Sequence, residues 1–336
     1  VEQLYKALPF LAAPFAACLV IASLHCYMGL HVIKRGVIFV DLALAQAAAL
    51  GTAAALLIAP LVCPEPHLHH TESSAAFVTE AQLAEQLNLE DDAAPARSTS
   101  DAEDAVTVIH DHAAHEHQHV WLTYSMSLLF ALLGAVLLSF GRLKDERIPH
   151  EAIIGIVFVV CAALSVLILS KAPHGHEKME AMLVGSILFV SWRQVAVMVP
   201  LYLVLGIFHF VLRRHFLEIS ESVAAAEKAG KQVRLWDCLF YGSFALMVTQ
   251  SVSIAGVFVV FSYLIIPGAC ASLFVKRFGF RLGMAWVVAV VTTVFGLALS
   301  AVGDMPTGSS LVSCFGAVLV LFAVARALLP KRNGTI

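Results

Sequence analysis

Two histidine clusters offer the clearest chemistry in the chain: His67-x-His69-His70, and His110-Asp-His112-x-x-His115-Glu-His117-Gln-His119. Together they hold eight of the 15 histidines. Neutral imidazole is a preferred ligand for zinc and also suits copper, nickel and iron. The interleaved Asp111 and Glu116 add negative charge and optional oxygen ligands. Such density on a polar segment suits weak, exchangeable capture of a transition metal better than a rigid site, which needs four ligands fixed at about 2.0–2.1 Å. His174-x-His176 is a smaller third cluster. The plainer alternative is a solvated acidic linker with incidental histidines.

The segment that presents both large clusters, residues 60–119, is polar and rich in Ala, Ser, Asp and Glu. From Glu65 to Glu116 it carries twelve acidic residues and a single basic one, Arg97. Too little apolar surface is present to offset the entropy of ordering, so most of it is expected to be disordered. One short helix is expected over Glu80 to Leu89, where Thr79 and Gln82 fit a capping box and Leu83 and Leu87 share a face.

Everything around this segment is apolar. The 336 residues are 60% hydrophobic and 13% charged, against about 25% charged in an average soluble chain, and the mean hydropathy is +0.84. That excludes a soluble globular protein and a wholly disordered one, and specifies an all-α polytopic membrane protein. Spans are expected at Leu8–His31, Gly36–Ala59, Val120–Phe140, Glu151–Ser170, Gln194–Leu212, Trp236–Gln250, Ile254–Val275, Leu282–Val302 and Ser309–Leu329. The apolar stretch Ala181–Ser191 is too short to cross a core of about 30 Å and is expected to be a re-entrant or broken helix. The division is therefore residues 1–59 as two spans, 60–119 as the polar segment, and 120–336 as the remaining spans with a connecting segment at 213–234.

Basic residues fix the expected orientation. Sixteen of the 21 Lys and Arg, including Lys34, Arg35, Arg142, Arg213, Lys276 and Lys331, fall on one side, which the positive-inside rule makes cytoplasmic. The N-terminus and the histidine-rich segment then lie outside and the C-terminus inside. The first apolar run lacks a basic leader and a recognisable cleavage site, so it is read as a span and not a signal peptide. The formal charge of −3 hides this asymmetry, and because the cations sit in short clusters between apolar runs, nucleic-acid binding is excluded as a function. Seven cysteines without a C-x-x-C pair make neither a disulfide framework nor a zinc knuckle.

Ionisable and strongly polar groups inside spans are costly and mark pathways. Asp41, Gln46 and His25 are the leading candidates, with Glu151, His209 and Asp237 near span ends. His25 and Asp41 flank the Lys34–Arg35 turn on successive helices and are expected to pair, as a structural ion pair or on a metal path. For Glu151 and Asp237 the helix dipole offers a structural alternative. For Gln46 the alternative is simple packing, because Ala43, Ala47, Gly51 and Ala55, and Ala45, Ala49 and Ala53, repeat at four-residue spacing and let neighbouring helices approach closely. No nucleotide site is credible: Gly303-x-x-x-x-Gly308 has Ser309 where a P-loop has Lys, and no G-x-S-x-G or H-E-x-x-H motif is present.

Four stretches resemble the permease subunits of the zinc/manganese/iron class of bacterial ABC importers. They are Lys34-Arg-Gly-Val-Ile-Phe-Val-Asp-Leu-Ala-Leu-Ala-Gln-Ala-Ala-Ala-Leu-Gly51, Glu151-Ala-Ile-Ile-Gly155, Ala255-Gly-Val-Phe-Val-Val-Phe-Ser-Tyr-Leu-Ile-Ile-Pro-Gly-Ala-Cys-Ala271, and Gly303-Asp-Met-Pro-Thr-Gly308. The resemblance covers nearly all the membrane parts and fails over the histidine-rich insertion. It implies a homodimeric permease in the bacterial cytoplasmic membrane, two separate cytoplasmic ATPase subunits, and an outer metal-binding protein that delivers the ion. It also implies that residues 213–234 hold the element docking on the ATPase, with Glu218, Ser220, Glu221, Ala224 and Ala225 as its contacts.

That family commonly carries an Asp and, four residues on, a His in the second span. Here Gln46 aligns with the His and Leu42 with the Asp, while Asp41 sits one place earlier, a shift that turns a helical side chain by about 100°. The expected function is the transmembrane subunit of an ATP-driven divalent metal importer, with zinc as the cargo, no permanently bound cofactor and no enzymatic activity in this chain. The alternatives are a self-sufficient gradient-driven metal transporter, and a metal sensor anchored by its spans.

Overall fold

A computed structural model of the chain describes residues 2–62, 121–141, 149–172 and 175–329. All regular structure among these residues is helical: α1 (Glu2–Arg35), α2 (Val40–Val62), α3 (Trp121–Phe140), α4 (His150–Leu169), α5 (Gly175–Val184), a 3-10 turn (Ile187–Phe189), α6 (Trp192–Val211), α7 (Arg213–Glu221), α8 (Val223–Lys228), α9 (Val233–Ala255), α10 (Val257–Phe274), α11 (Phe278–Gly303) and α12 (Thr307–Leu328). Nine of these helices are long and apolar enough to cross a membrane. They match the nine expected spans in order. The histidine clusters at 67–70 and 110–119 and the helix expected over 80–89 lie outside the described residues.

Small residues explain the tight packing of α2. Ser127 on α3 donates to the Ala48 carbonyl at 3.0 Å, and a Cβ added to Gly51 would lie 2.3 Å from the Met126 carbonyl oxygen. Ala47 faces Gly134 on the same helix, and α2 also packs along α4. With no bulky side chains between them, the backbones approach closely enough for dispersion and carbonyl contacts to hold helices together without a hydrophobic driving force. The mostly buried α2, α9 and α10 form the centre, while α12 faces largely outward. Exposed Leu137, Leu203, Phe295 and Leu321 make the outer surface apolar, as a lipid-facing surface must be.

Two boundaries differ from the sequence expectation. The span expected at Trp236–Gln250 begins at Val233 and continues to Ala255. Its polar stretch stays helical because Ser251 donates back to Met247 O and Val248 O, and Ser253 to Gln250 O, which keeps their hydroxyls satisfied within the helix. The break falls instead at Gly256, whose φ of 77° ends α9 and starts α10. The broken element expected at 181–191 is present as the end of α5, Gly185 at φ 74°, and the 3-10 turn. Gly185 sits directly on the Ala255–Gly256 backbone: a Cβ on Gly185 would come within 2.2 Å of the Ala255 carbonyl carbon. Two chain breaks therefore meet backbone to backbone.

Candidate metal pathway

Four helices supply a set of donors. His25 on α1 stacks on the Tyr202 ring of α6, with centroids 6.0 Å apart and planes 27° apart. Its Nδ1 lies 2.9 Å from the Ile21 carbonyl, which can only accept, so that nitrogen carries the proton and Nε2 holds the lone pair. Nε2 faces the Ser251 hydroxyl of α9 at 3.3 Å. Asp41, in the first turn of α2, lies within electrostatic reach of Tyr202.

Asp41 is the most telling residue. It is 1% exposed, and neither carboxylate oxygen has a hydrogen-bond partner. The Tyr202 hydroxyl is likewise buried and unpartnered. An isolated buried carboxylate costs several kcal/mol, and such groups in native proteins call for an ion or a water to complete them. The expected His25–Asp41 pair is not formed: no hydrogen bond or ion pair joins them, because His25 uses Ile21 and Ser251 instead. His25 nonetheless stacks on Tyr202, and Asp41 acts on the same ring electrostatically. Gln46 is buried at 8% exposure on α2, but five residues separate it from Asp41, which puts the two about 140° apart around the helix.

A second polar group lies at the end of the bundle where α1 stops. Tyr27, His31 and Arg35 follow one another at four-residue spacing and so form one stripe. Arg35 Nη1 donates to Asp237 Oδ1 on α9 at 2.9 Å, its Nε donates to Ser220 Oγ on α7 at 2.9 Å, and its guanidinium lies 4.0 Å from the Phe240 ring centroid. His31 Nδ1 meets the same Ser220 oxygen at 2.9 Å. His209 on α6 meets Ser243 on α9 at 2.9 Å through Nε2.

These placements revise two readings. Asp237 is one turn inside α9, since that helix starts at Val233, so the helix dipole is not its partner; Arg35 is. Glu151 does sit in the first turn of α4 and is half-buried.

The segment 213–234 folds as α7 and α8. Ile219 and Ala226 pack with Val233 in a small cluster that Val223 and Trp236 cover, and His215 stacks on Trp236 at 4.5 Å. Ser222 caps α8 by accepting from Ala225 N. Ser220 points inward and is buried, whereas Glu221 and Ala225 are exposed. Glu218 pairs with Lys231, and Glu221 with Lys34 at 3.1 Å. Nothing is described of the Ala224 side chain.

Sequence reasoning missed Tyr27, His31, Arg35, Tyr202, Ser220 as a shared acceptor, and Ser251. The four-residue stripe on α1 was the available signal for the first three. No pattern in sequence could bring Tyr202 and Ser251 to His25, because they come from helices distant in the chain.

Against known proteins, the ABC 3 transport family profile matches residues 119–326. The chain belongs to the ABC 3 transport family. The sequence resemblance to ABC metal importer permeases is thereby borne out, as is the all-α polytopic fold. Among relatives, the manganese transport system membrane protein MntB of Synechocystis is 26% identical over 219 residues, covering 63% of this chain and 70% of that one. The chelated iron transport system membrane protein YfeC of Yersinia pestis is 26% identical over 207 residues, covering 61% and 70%. In structure, the chain is similar to PsaBC from Streptococcus pneumoniae, solved in complex with a Fab, with a TM-score of 0.65 at 16% identity over 96% of this chain and 94% of that one.

Proposed function

We propose that this chain is the membrane permease subunit of an ATP-driven importer of a divalent first-row transition metal, and that the cargo passes between His25 Nε2, Asp41 and Tyr202. The observation that carries the reading is the pair of buried, unpartnered Asp41 oxygens, with Tyr202 of the Tyr202–His25 stack within their electrostatic reach. Carboxylate and phenol oxygens with one imidazole make a mixed site that suits manganese, iron or zinc. The names of the relatives favour manganese or iron. The histidine clusters favour zinc, which the outer segment would concentrate through His67, His69, His70, His110, His112, His115, His117 and His119.

No ATP site exists in the motifs of this chain, so energy comes from separate cytoplasmic ATPase subunits. They would dock where Glu221 and Ala225 are exposed on α7 and α8, with the basic end of the bundle in the cytoplasm. The movement reaches the pathway through Ser220, which bonds both Arg35 and His31 of α1. Two copies of the permease and an outer metal-binding protein complete the assembly in the cytoplasmic membrane.

Purification from the native membrane in mild detergent tests this. A stoichiometric ATPase with a complete Walker motif, and metal translocation that requires ATP, is the expected result. Metal carried by the chain alone down a gradient would overturn it.

A further inference from the structure

A second group of buried polar atoms without partners, the Tyr27 hydroxyl, His31 Nε2 and His209 Nδ1, lies about two turns along α1 and α6 from the His25–Tyr202 stack, since His31 follows His25 by six residues and His209 follows Tyr202 by seven. The rings sit together, with Tyr27 centred 4.6 Å from His31 and 5.7 Å from His209. His31 and His209 are almost fully buried, at 0% and 2% exposure. Three unpaired polar atoms in one place each carry a desolvation cost if nothing fills the gap between them.

The outer hydrogen bonds of both imidazoles set which nitrogen is bare. Ser243 spends its hydroxyl proton on the Phe240 carbonyl at 2.8 Å, so towards His209 its oxygen accepts, placing that proton on Nε2 and leaving Nδ1 as a lone pair. The Ser220 oxygen accepts from Arg35 Nε and keeps a second lone pair that can take His31 Nδ1–H, the tautomer in which His31 Nε2 turns a lone pair to an ion. Holding the far nitrogen of each imidazole with a fixed partner is how proteins orient metal-ligating histidines. Asp237 at 2.9 Å offsets part of the Arg35 charge, although the guanidinium still bears electrostatically on His31 and His209.

We propose that His31, His209 and Tyr27 form an inner station for the divalent cargo, between Asp41 and the cytoplasmic end, with water completing the ligand shell. The station rests on the metal-importer reading above. Because Ser220 belongs to the ATPase-facing segment, movement of α7 removes the bond that orients His31 and so releases the ion.

Manganese bound to the full-length chain in lipid nanodiscs tests this by pulsed electron paramagnetic resonance, which registers imidazole nitrogen on the ion directly. On a background with the eight outer-segment histidines replaced by Gln, a His25→Gln/Asp41→Asn protein lacks the upper site, and Mn²⁺ should remain with nitrogen coupling from two imidazoles. Adding His31→Gln and His209→Gln should lower its occupancy at least tenfold. Should that fourfold variant fail to fold, His209→Gln alone on the same background should halve the nitrogen coupling. Loss of all nitrogen-coupled Mn²⁺ in the His25→Gln/Asp41→Asn protein, with the wild type still binding, would overturn the inner station alone and leave a buried water there. Absence of Mn²⁺ and Zn²⁺ binding in the wild type would overturn the importer reading along with it.

Discussion

Arg35 at the end of α1 and Asp237 one turn into α9 form an ion pair at 2.9 Å with side chains 0% and 2% exposed. Because Arg35 also donates to Ser220 of α7, one guanidinium ties a central helix to both α9 and the segment proposed to meet the ATPase. Breaking a buried pair from one side leaves the other charge uncompensated, at a cost of about 3–5 kcal/mol. Arg35→Met and Asp237→Leu should each lower the thermal midpoint markedly, while the double variant should be less harmed than the sum of the two. Thermal unfolding of the four purified proteins measures this; strictly additive losses would show that the two residues act independently.

Arg35→Lys keeps the charge but cannot reach Ser220 and Asp237 together with one planar fork. The account expects ATP hydrolysis in the assembled complex to persist while metal transport falls at least tenfold. Parallel loss of both activities would mean that the contact only stabilises the fold.

Asp41 should behave in the opposite way to Arg35. Its carboxylate has no partner, so Asp41→Asn removes a desolvation cost and should leave stability unchanged or raised by about 1 kcal/mol or more. Metal binding should nevertheless fall at least tenfold. Titration of Mn²⁺ and Zn²⁺ against the purified variant, alongside its unfolding midpoint, checks both halves; a drop in stability would indicate a structural carboxylate.

The seam between the broken element and the α9–α10 break makes a steric prediction. Gly256 has a φ of 77°, and a Cβ there would approach Gly185 N to 2.4 Å. Gly256→Ala combines left-handed backbone strain of about 1–2 kcal/mol with a backbone clash that no rotamer change relieves. It should lower the unfolding midpoint and expose the 175–190 segment to protease. A protein as stable and as resistant as the wild type would show that the two breaks can separate freely.

Legibility from sequence divided along a physical line. Spans were readable because about 20 apolar residues are required to cross a bilayer, whatever the packing, and the short broken element at 181–191 stood out for lack of length. Boundaries were lost where hydroxyls fold back onto carbonyls: the span expected to end at Gln250 runs on through Ser251 and Ser253 to Ala255. Asp41 and His25 were found because charge and imidazole are rare in spans. Their true neighbour was not, since Tyr202 comes from α6 and an aromatic in a span carries no signature. Asp237 was misassigned to a helix dipole because the start of α9 was set one turn late.

The histidine-rich segment yields its own test. Deleting residues 66–119 should leave the membrane part folded and impair uptake mainly at low external metal, since the proposed capture by its histidines would raise local concentration and add nothing once the pathway is saturated. Uptake measured over a range of zinc and manganese concentrations decides it; unchanged uptake at every level would remove the assigned role.

The central claim is tested most directly by metal translocation in proteoliposomes holding the permease with its co-purified ATPase, comparing wild type with Asp41→Asn. ATP-dependent movement of manganese, iron or zinc by the wild type, reduced at least tenfold by the substitution while ATP hydrolysis continues, is the predicted result. Equal translocation by both proteins would contradict a pathway through Asp41.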